Sequence, residues 1–190
     1  MNLQISLQKI RLLCPDIGNR TNIGIVGLVL AMVFYSCMAL DAEAVEVWGV
    51  DVVRYGIYTA KVQQMEDIEK SPGGKRHVVM EPEFQEETFR VPAILGTRFG
   101  FKYIINGIPD GAEIPIIIRK TYPGLKDPRY EKPIFNHAYT QIHTIGEPNG
   151  TGYGFDHRWE LVCGTWTFQL LYEGKILGEV SFEVYNPQKQ

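Results

Sequence analysis

The chain predicts an all-β domain, a sandwich of two stacked sheets with about eight strands, behind an apolar N-terminal segment. Three observations carry that reading. Apolar and polar residues alternate with a period of two in several stretches after residue 45, as half-buried strands require. Turn residues separate these stretches at short intervals, Glu173-Gly174-Lys175 being the clearest. No segment beyond residue 45 keeps a helical period over three turns.

Ile23 to Leu40 is a run of eighteen residues without a charge, roughly 27 Å long as a helix. Lys9, Arg11 and Arg20 precede it and Asp41, Glu43 and Glu46 come after, an asymmetry that holds the N-terminus in the cytoplasm and sends the remainder across. Ala42 and Ala44 form the small-x-small pattern of a signal-peptidase site, so residues 1–44 are expected to be either a signal peptide cut after Ala44 or an uncleaved anchor helix. Cys37 is a weaker candidate for lipidation, because Phe34 and Tyr35 fit a lipoprotein peptidase poorly. Either way residues 45–190 are the exported β domain, in the periplasm, in the cell envelope or secreted.

Val45 to Tyr58 is a β-branched and aromatic run whose apolar parity switches near Val52-Val53, the mark of a bulge. Lys61 to Arg76 is a charged loop or ribbon ending in Ser71-Pro72-Gly73-Gly74. Weaker strands cover His77–Met80, Phe84–Val91, Ala138–Ile145 and Gly154–Leu161. Phe99, Phe101, Tyr103 and Ile105 alternate cleanly, and after the turn signals from Asn106-Gly107 to Asp110-Gly111 come Ile114, Ile116 and Ile118, closed by Arg119 and Lys120. Pro115 asks for an edge position or a bulge, since proline cannot donate to the ladder. Tyr122 to His137 carries Pro123, Pro128 and Pro133 and is expected to be a loop, not a central strand. The C-terminal hairpin pairs Trp166, Phe168, Leu170 and Tyr172 with Ile176, Val180, Phe182 and Val184 on one apolar face. Short strands in this number favour an immunoglobulin-like arrangement, with Trp159 or Trp166 filling the space between the sheets.

The chain has 190 residues and a net charge of −3, and the first 44 residues balance, so the exported part keeps −3. That is no footprint for nucleic acid, and it ties the chain to a membrane only through the N-terminal segment. Cys163 is the one cysteine after residue 44, which leaves no intrachain disulfide there.

Reactive groups are sparse. Ser71 and Ser181, the serines after residue 44, sit in no nucleophile elbow, and Cys163 at a hairpin corner is most simply inert. His137, His143 and His157 are the candidate metal ligands; the first two are six apart and share a strand face, but no His-x-His pair exists. Gly150 to Gly154 misses the dinucleotide spacing and reads as a loop, as does Gly74-Lys75. Glu81, Glu83, Glu86, Glu87, Asp156 and Glu160 read as the wet face of a sheet. No cofactor is implied. The Tyr122–His137 segment is the functional hint: Tyr122, Tyr130 and Phe135 mix with Lys126, Arg129 and Lys132, a composition suited to contacting protein or glycan. The candidate binding residues are Tyr122, Arg129, Tyr130 and Phe135; the alternative is an ordinary crossover with its aromatics folded back onto the sandwich.

GTRFGFKYIINGIPDGAEIPI (Gly96–Ile116), TYPGLKDP (Thr121–Pro128) and GYGFDHRWELVCGTWTFQLLYEGKILGEVSFEV (Gly152–Val184) resemble a bacterial family, the domain of unknown function numbered thirty-eight fifty-nine. Cys163 departs from it where a proline is expected before the Gly-x-Trp turn. The resemblance implies a bacterial origin, an all-β domain and no assigned activity, and it carries over no site residues. The expectation is a non-enzymatic binding or structural module that recognises a protein or surface polymer through one loop end. The alternative is a metal-dependent or carbohydrate-active envelope enzyme.

Overall fold

The computed structural model describes residues 44–67 and 71–189, with backbone alone over 62–67 and 75–81. The apolar segment, its cleavage and Cys37 lie outside the described residues. Among the described residues nine strands form: β1 (Glu46–Asp67), β2 (Lys75–Glu86), β3 (Arg90–Pro92), β4 (Arg98–Ile108), β5 (Glu113–Leu125), β6 (Ile134–Thr144), β7 (Pro148–Gly154), β8 (Gly164–Tyr172) and β9 (Lys175–Tyr185). They make a two-sheet sandwich, one sheet ordered β2-β1-β4-β7 and the other β3-β9-β8-β5-β6. Pairing is antiparallel except between β3 and β9. No α-helix occurs among the described residues.

The period-two patterns decide the inner faces. Phe99, Phe101, Tyr103 and Ile105 on β4 are buried against Ile114, Ile116 and Ile118 on β5 and Trp166, Phe168 and Leu170 on β8. Phe99 is the hub, meeting Trp166, Phe168 and Phe182 edge-on at ring-centroid distances of 5.8, 5.9 and 5.2 Å. Edge-to-face contacts match the positive rim of one ring to the negative face of another. Trp166, not Trp159, fills the centre; Trp159 packs partly buried at its margin.

The bulge expected at Val52-Val53 is present, as a register shift between Val52 and Arg54 against β4. β1 then runs on through the charged segment, which is a ribbon: β1 pairs with β2 from Ile57 to Asp67. The two weak strands around Glu81 are thus one strand plus the short β3.

Three expectations are corrected. Tyr122–Leu125 closes β5 and Ile134–His137 opens β6, so the loop shrinks to residues 126–133. Pro123 is tolerated because the β5–β6 register breaks between Thr121 and Leu125 and β8 pairs no further than Thr121. Pro115 escapes in a similar way: β5 is central, but β8 pairs only from Ile117, leaving a neighbour on one side there. The Gly150–Gly154 loop and the Gly154–Leu161 strand exchange places, for β7 is Pro148–Gly154 and the chain beyond it is a connection with a 3-10 turn at Arg158–Glu160. Gly152 lies under the phenol of Tyr58, whose oxygen would be 2.6 Å from a Cβ there, so the glycine serves a close approach and not a turn.

The C-terminal hairpin forms as expected around Glu173-Gly174, both with positive φ (47° and 79°), the geometry of a type I′ turn. Ile176 leaves the apolar face, 53 % exposed, because the register slips between Leu170 and Leu171 and hands its place to Leu177.

Candidate binding end of the sandwich

Three connections meet at one place: the β1–β2 tip, the loop 126–133 and the β7–β8 connection. Asp127 is the pivot. Its side chain is 1 % exposed and its oxygens accept from the backbone amides of Gly73 and Arg129, both at 3.0 Å. The guanidinium of Arg129 adds bonds of 3.1 and 3.2 Å from Nε and 2.6 Å from Nη2. Nη2 also donates to the carbonyl of Ser71 at 2.9 Å, pinning the tip to the loop. Burial alone would raise the Asp127 carboxyl, but the Arg129 bonds and the two amides outweigh it and hold the group down to about 2.

The tip rests on the second anchor. A Cβ at Gly73 would lie 3.8 Å from Glu160 Oε1 and from the His157 ring. Glu160 is 3 % exposed, so its expected place on a wet sheet face is wrong. In the 3-10 turn its carboxylate accepts from Tyr153 Oη at 2.7 Å and from the amides of Asp156 and His157 at 2.7 and 2.6 Å. This is the capping-box use of a glutamate, which caps otherwise orphaned amide donors. Burial raises the Glu160 carboxyl, with those bonds pulling the other way. Tyr153 in turn packs on Trp166 at 4.9 Å and Tyr122 at 5.8 Å, joining the end to the core.

Lys120, expected to close a strand, points inward. It is 8 % exposed, its Nζ donates to the Gly152 carbonyl at 2.6 Å and it lies over the Tyr139 and Phe168 rings at 5.4 and 5.5 Å. The bond joins β5 of one sheet to β7 of the other.

The four candidate binding residues divide. Tyr122 is 3 % exposed, folded back against Trp166 at 4.9 Å, and belongs to the core. Arg129 is committed to Asp127 and Ser71 on one side while its guanidinium carbon lies 5.2 Å from the Tyr130 ring centroid on the other. Tyr130 and Phe135 are exposed, at 41 % and 55 %, with exposed Lys126 and Lys132 near them in sequence.

The histidines do not gather. His137 and His143 both point inward from β6, but six steps along the strand set them about 20 Å apart. His143 Nδ1 is bonded to Tyr103 Oη at 3.0 Å, and burial lowers its pKa to about 4. His157 stacks on Trp159 at 5.6 Å in another connection. Among the described residues no three His, Cys, Asp or Glu side chains come together. Cys163 is exposed. Elsewhere, an open cleft of about 420 Å³ lies between β1 and β9, lined by Val52, Tyr55, Phe89, Glu179, Val180 and Ser181.

Asp127 and Glu160 escape a reading that looks for exposed chemistry. Their signals are present: Asp127-Pro128 is a turn-initiating pair, and Glu160 stands three residues after a turn start.

The sequence profile of the Domain of unknown function (DUF3859) matches residues 46–184, nearly the whole described domain. The chain belongs to the DUF3859 family. No curated protein matches it in sequence. Among solved structures, this DUF3859 domain is similar to an immunoglobulin-like protein from Pseudomonas aeruginosa, at 22 % identity and a TM-score of 0.52, over 76 % of this chain and 99 % of that one. At that identity the likeness establishes the immunoglobulin-like fold of the DUF3859 sandwich and nothing of its activity.

Proposed function

We propose that this DUF3859 domain is an exported binding module that recognises a protein or a surface polymer of the cell envelope through the loop 126–133 and the start of β6. The observation that supports it is the Asp127–Arg129 lock. It fixes the loop from its buried side, while Tyr130, Phe135, Lys126 and Lys132 are exposed. A loop held in one shape before contact loses less conformational entropy on binding. Exposed aromatics are among the residue types that carry contact energy at protein surfaces.

Deleting the loop is a poor test, because it removes Asp127 and with it the anchor of the β1–β2 tip. The discriminating experiment places a photo-crosslinking amino acid at Tyr130 or Phe135 in the full-length chain in cells, with Ile176 on β9 as the exposed control. Adducts to an envelope protein or to cell-wall polymer at 130 and 135, absent at 176, support the reading. Equal labelling at all three positions, or none at the loop, refutes it. A reporter fused after Gln190 and active only outside the cytoplasm checks export.

A further inference from the structure

We propose that β6 is the pairing edge of a twofold homodimer, in which two five-stranded sheets join into one through antiparallel β6–β6 contact. A sheet edge presents unpaired backbone N–H and C=O groups, and folded proteins ordinarily guard it with charge, proline, bulges or brevity. Three of the four end strands here are guarded. β2 carries Lys75, Arg76, Glu81, Pro82, Glu83 and Glu86, and its register with β1 shifts three times. β7 begins with Pro148 and has glycine at 150, 152 and 154. β3 is three residues long and ends in Pro92.

Among the described residues β6 has none of these devices beyond one register break at its start. Its eleven residues, Ile134 to Thr144, include no Asp, Glu, Lys, Arg, Pro or Gly. Its register against β5 runs unbroken from Asn136 to Thr144, so the strand is regular where a partner would add. Asn136, Ala138, Thr140 and Ile142 face outward and are exposed, Ile142 at 58 % opposite Pro115 of β5.

The same lack of charge selects the occupant. β6 offers no charge by which a foreign strand would be chosen or refused, and the neutral partner that its own sequence fits is a second β6. A second β6 meets no penalty. Centred on Thr140, antiparallel self-pairing sets Ala138 opposite Ile142 and Asn136 opposite Thr144 on the outer face, and Tyr139 opposite Gln141 and His137 opposite His143 on the inner. Each outward Ile142 gains an apolar neighbour and no like-charged side chains oppose.

The test uses the full-length chain with Cys14, Cys37 and Cys163 replaced by alanine, carrying one new cysteine at an outward β6 position. Directly opposed residues in an antiparallel pair have Cα atoms about 4.5–5.5 Å apart, within disulfide reach. Thr140→Cys is expected to give a crosslinked homodimer alone, whereas Ala138→Cys and Ile142→Cys crosslink well only when the two chains are mixed. Adding Thr140→Lys to the mixed pair puts like charges at the twofold and should lower the yield roughly tenfold with an unchanged circular dichroism spectrum. A monomer by light scattering with no β6 crosslink overturns the proposal. So does a crosslink to a different protein, or equal yields at Thr59 on β1.

Discussion

The β8–β9 hairpin and the β5–β6 connection are both strand, turn and strand, yet they are held by different forces. The hairpin is fixed by apolar alternation and a two-residue turn, and its stability is spread over Trp166, Phe168, Leu170, Val180 and Phe182. The β5–β6 connection has no apolar core of its own beyond residue 125. Its shape depends on one buried carboxylate with an arginine and two backbone amides. Distributed burial degrades gradually, whereas a single buried charge fails whole when a partner is lost.

The largest expected effect breaks the shared core. Phe99→Ala removes the ring on which Trp166, Phe168 and Phe182 converge and should cost about 3–5 kcal/mol, read as a lower urea midpoint with both regions unfolding together. Acid separates the shared core from the β5–β6 connection. His143 binds a proton in the unfolded chain from pH 6.5 but in the folded one only from about 4, so its contribution is complete above pH 6.5 and is lost as pH falls toward 4. That loss is on the order of 3 kcal/mol, and a His143→Gln chain should show a flatter stability profile in that window.

Asp127 runs in a lower window. Its folded pKa is depressed, so its stabilisation is complete above the unfolded value of 3.8 and is lost as pH falls through about 2. Asp127→Ala at neutral pH should cost about 2 kcal/mol, since it strands the Gly73 amide and the Arg129 guanidinium. Hydrogen exchange should quicken at residues 71–74 and 126–133 and stay unchanged in β8 and β9; uniform quickening would erase the contrast. The smallest effect is Tyr130→Ala with Phe135→Ala, expected within about 0.5 kcal/mol by thermal melting because both rings are exposed. A larger loss would mean these rings hold the fold instead of facing a partner.

The sandwich was legible because alternation is a local signal. Phe99 to Ile105 and Thr165 to Val184 each state their own inner face, and Val52-Val53 announces its bulge by a change of parity. The end of the sandwich was far less so. The contact from Gly73 to Asp127 spans 54 residues and that from Arg129 to Ser71 spans 58, and no periodicity encodes either. Proline misled at Pro123 for a related reason: whether a missing N–H matters depends on where the neighbouring strand stops. Lys120 and Glu160 were misplaced because a charged residue on a pattern reads as exposed until its particular acceptor or donors are known.

The lysine from β5 that reaches the Gly152 carbonyl also ties one sheet to the other without sulfur. Such a link forms as soon as the two strands come together and waits for no oxidant or isomerase. Among the described residues Cys163 is the only thiol, and it lies at the surface. Reducing and oxidising surroundings should therefore leave the same sandwich, a redox-indifferent body for whatever its loops hold.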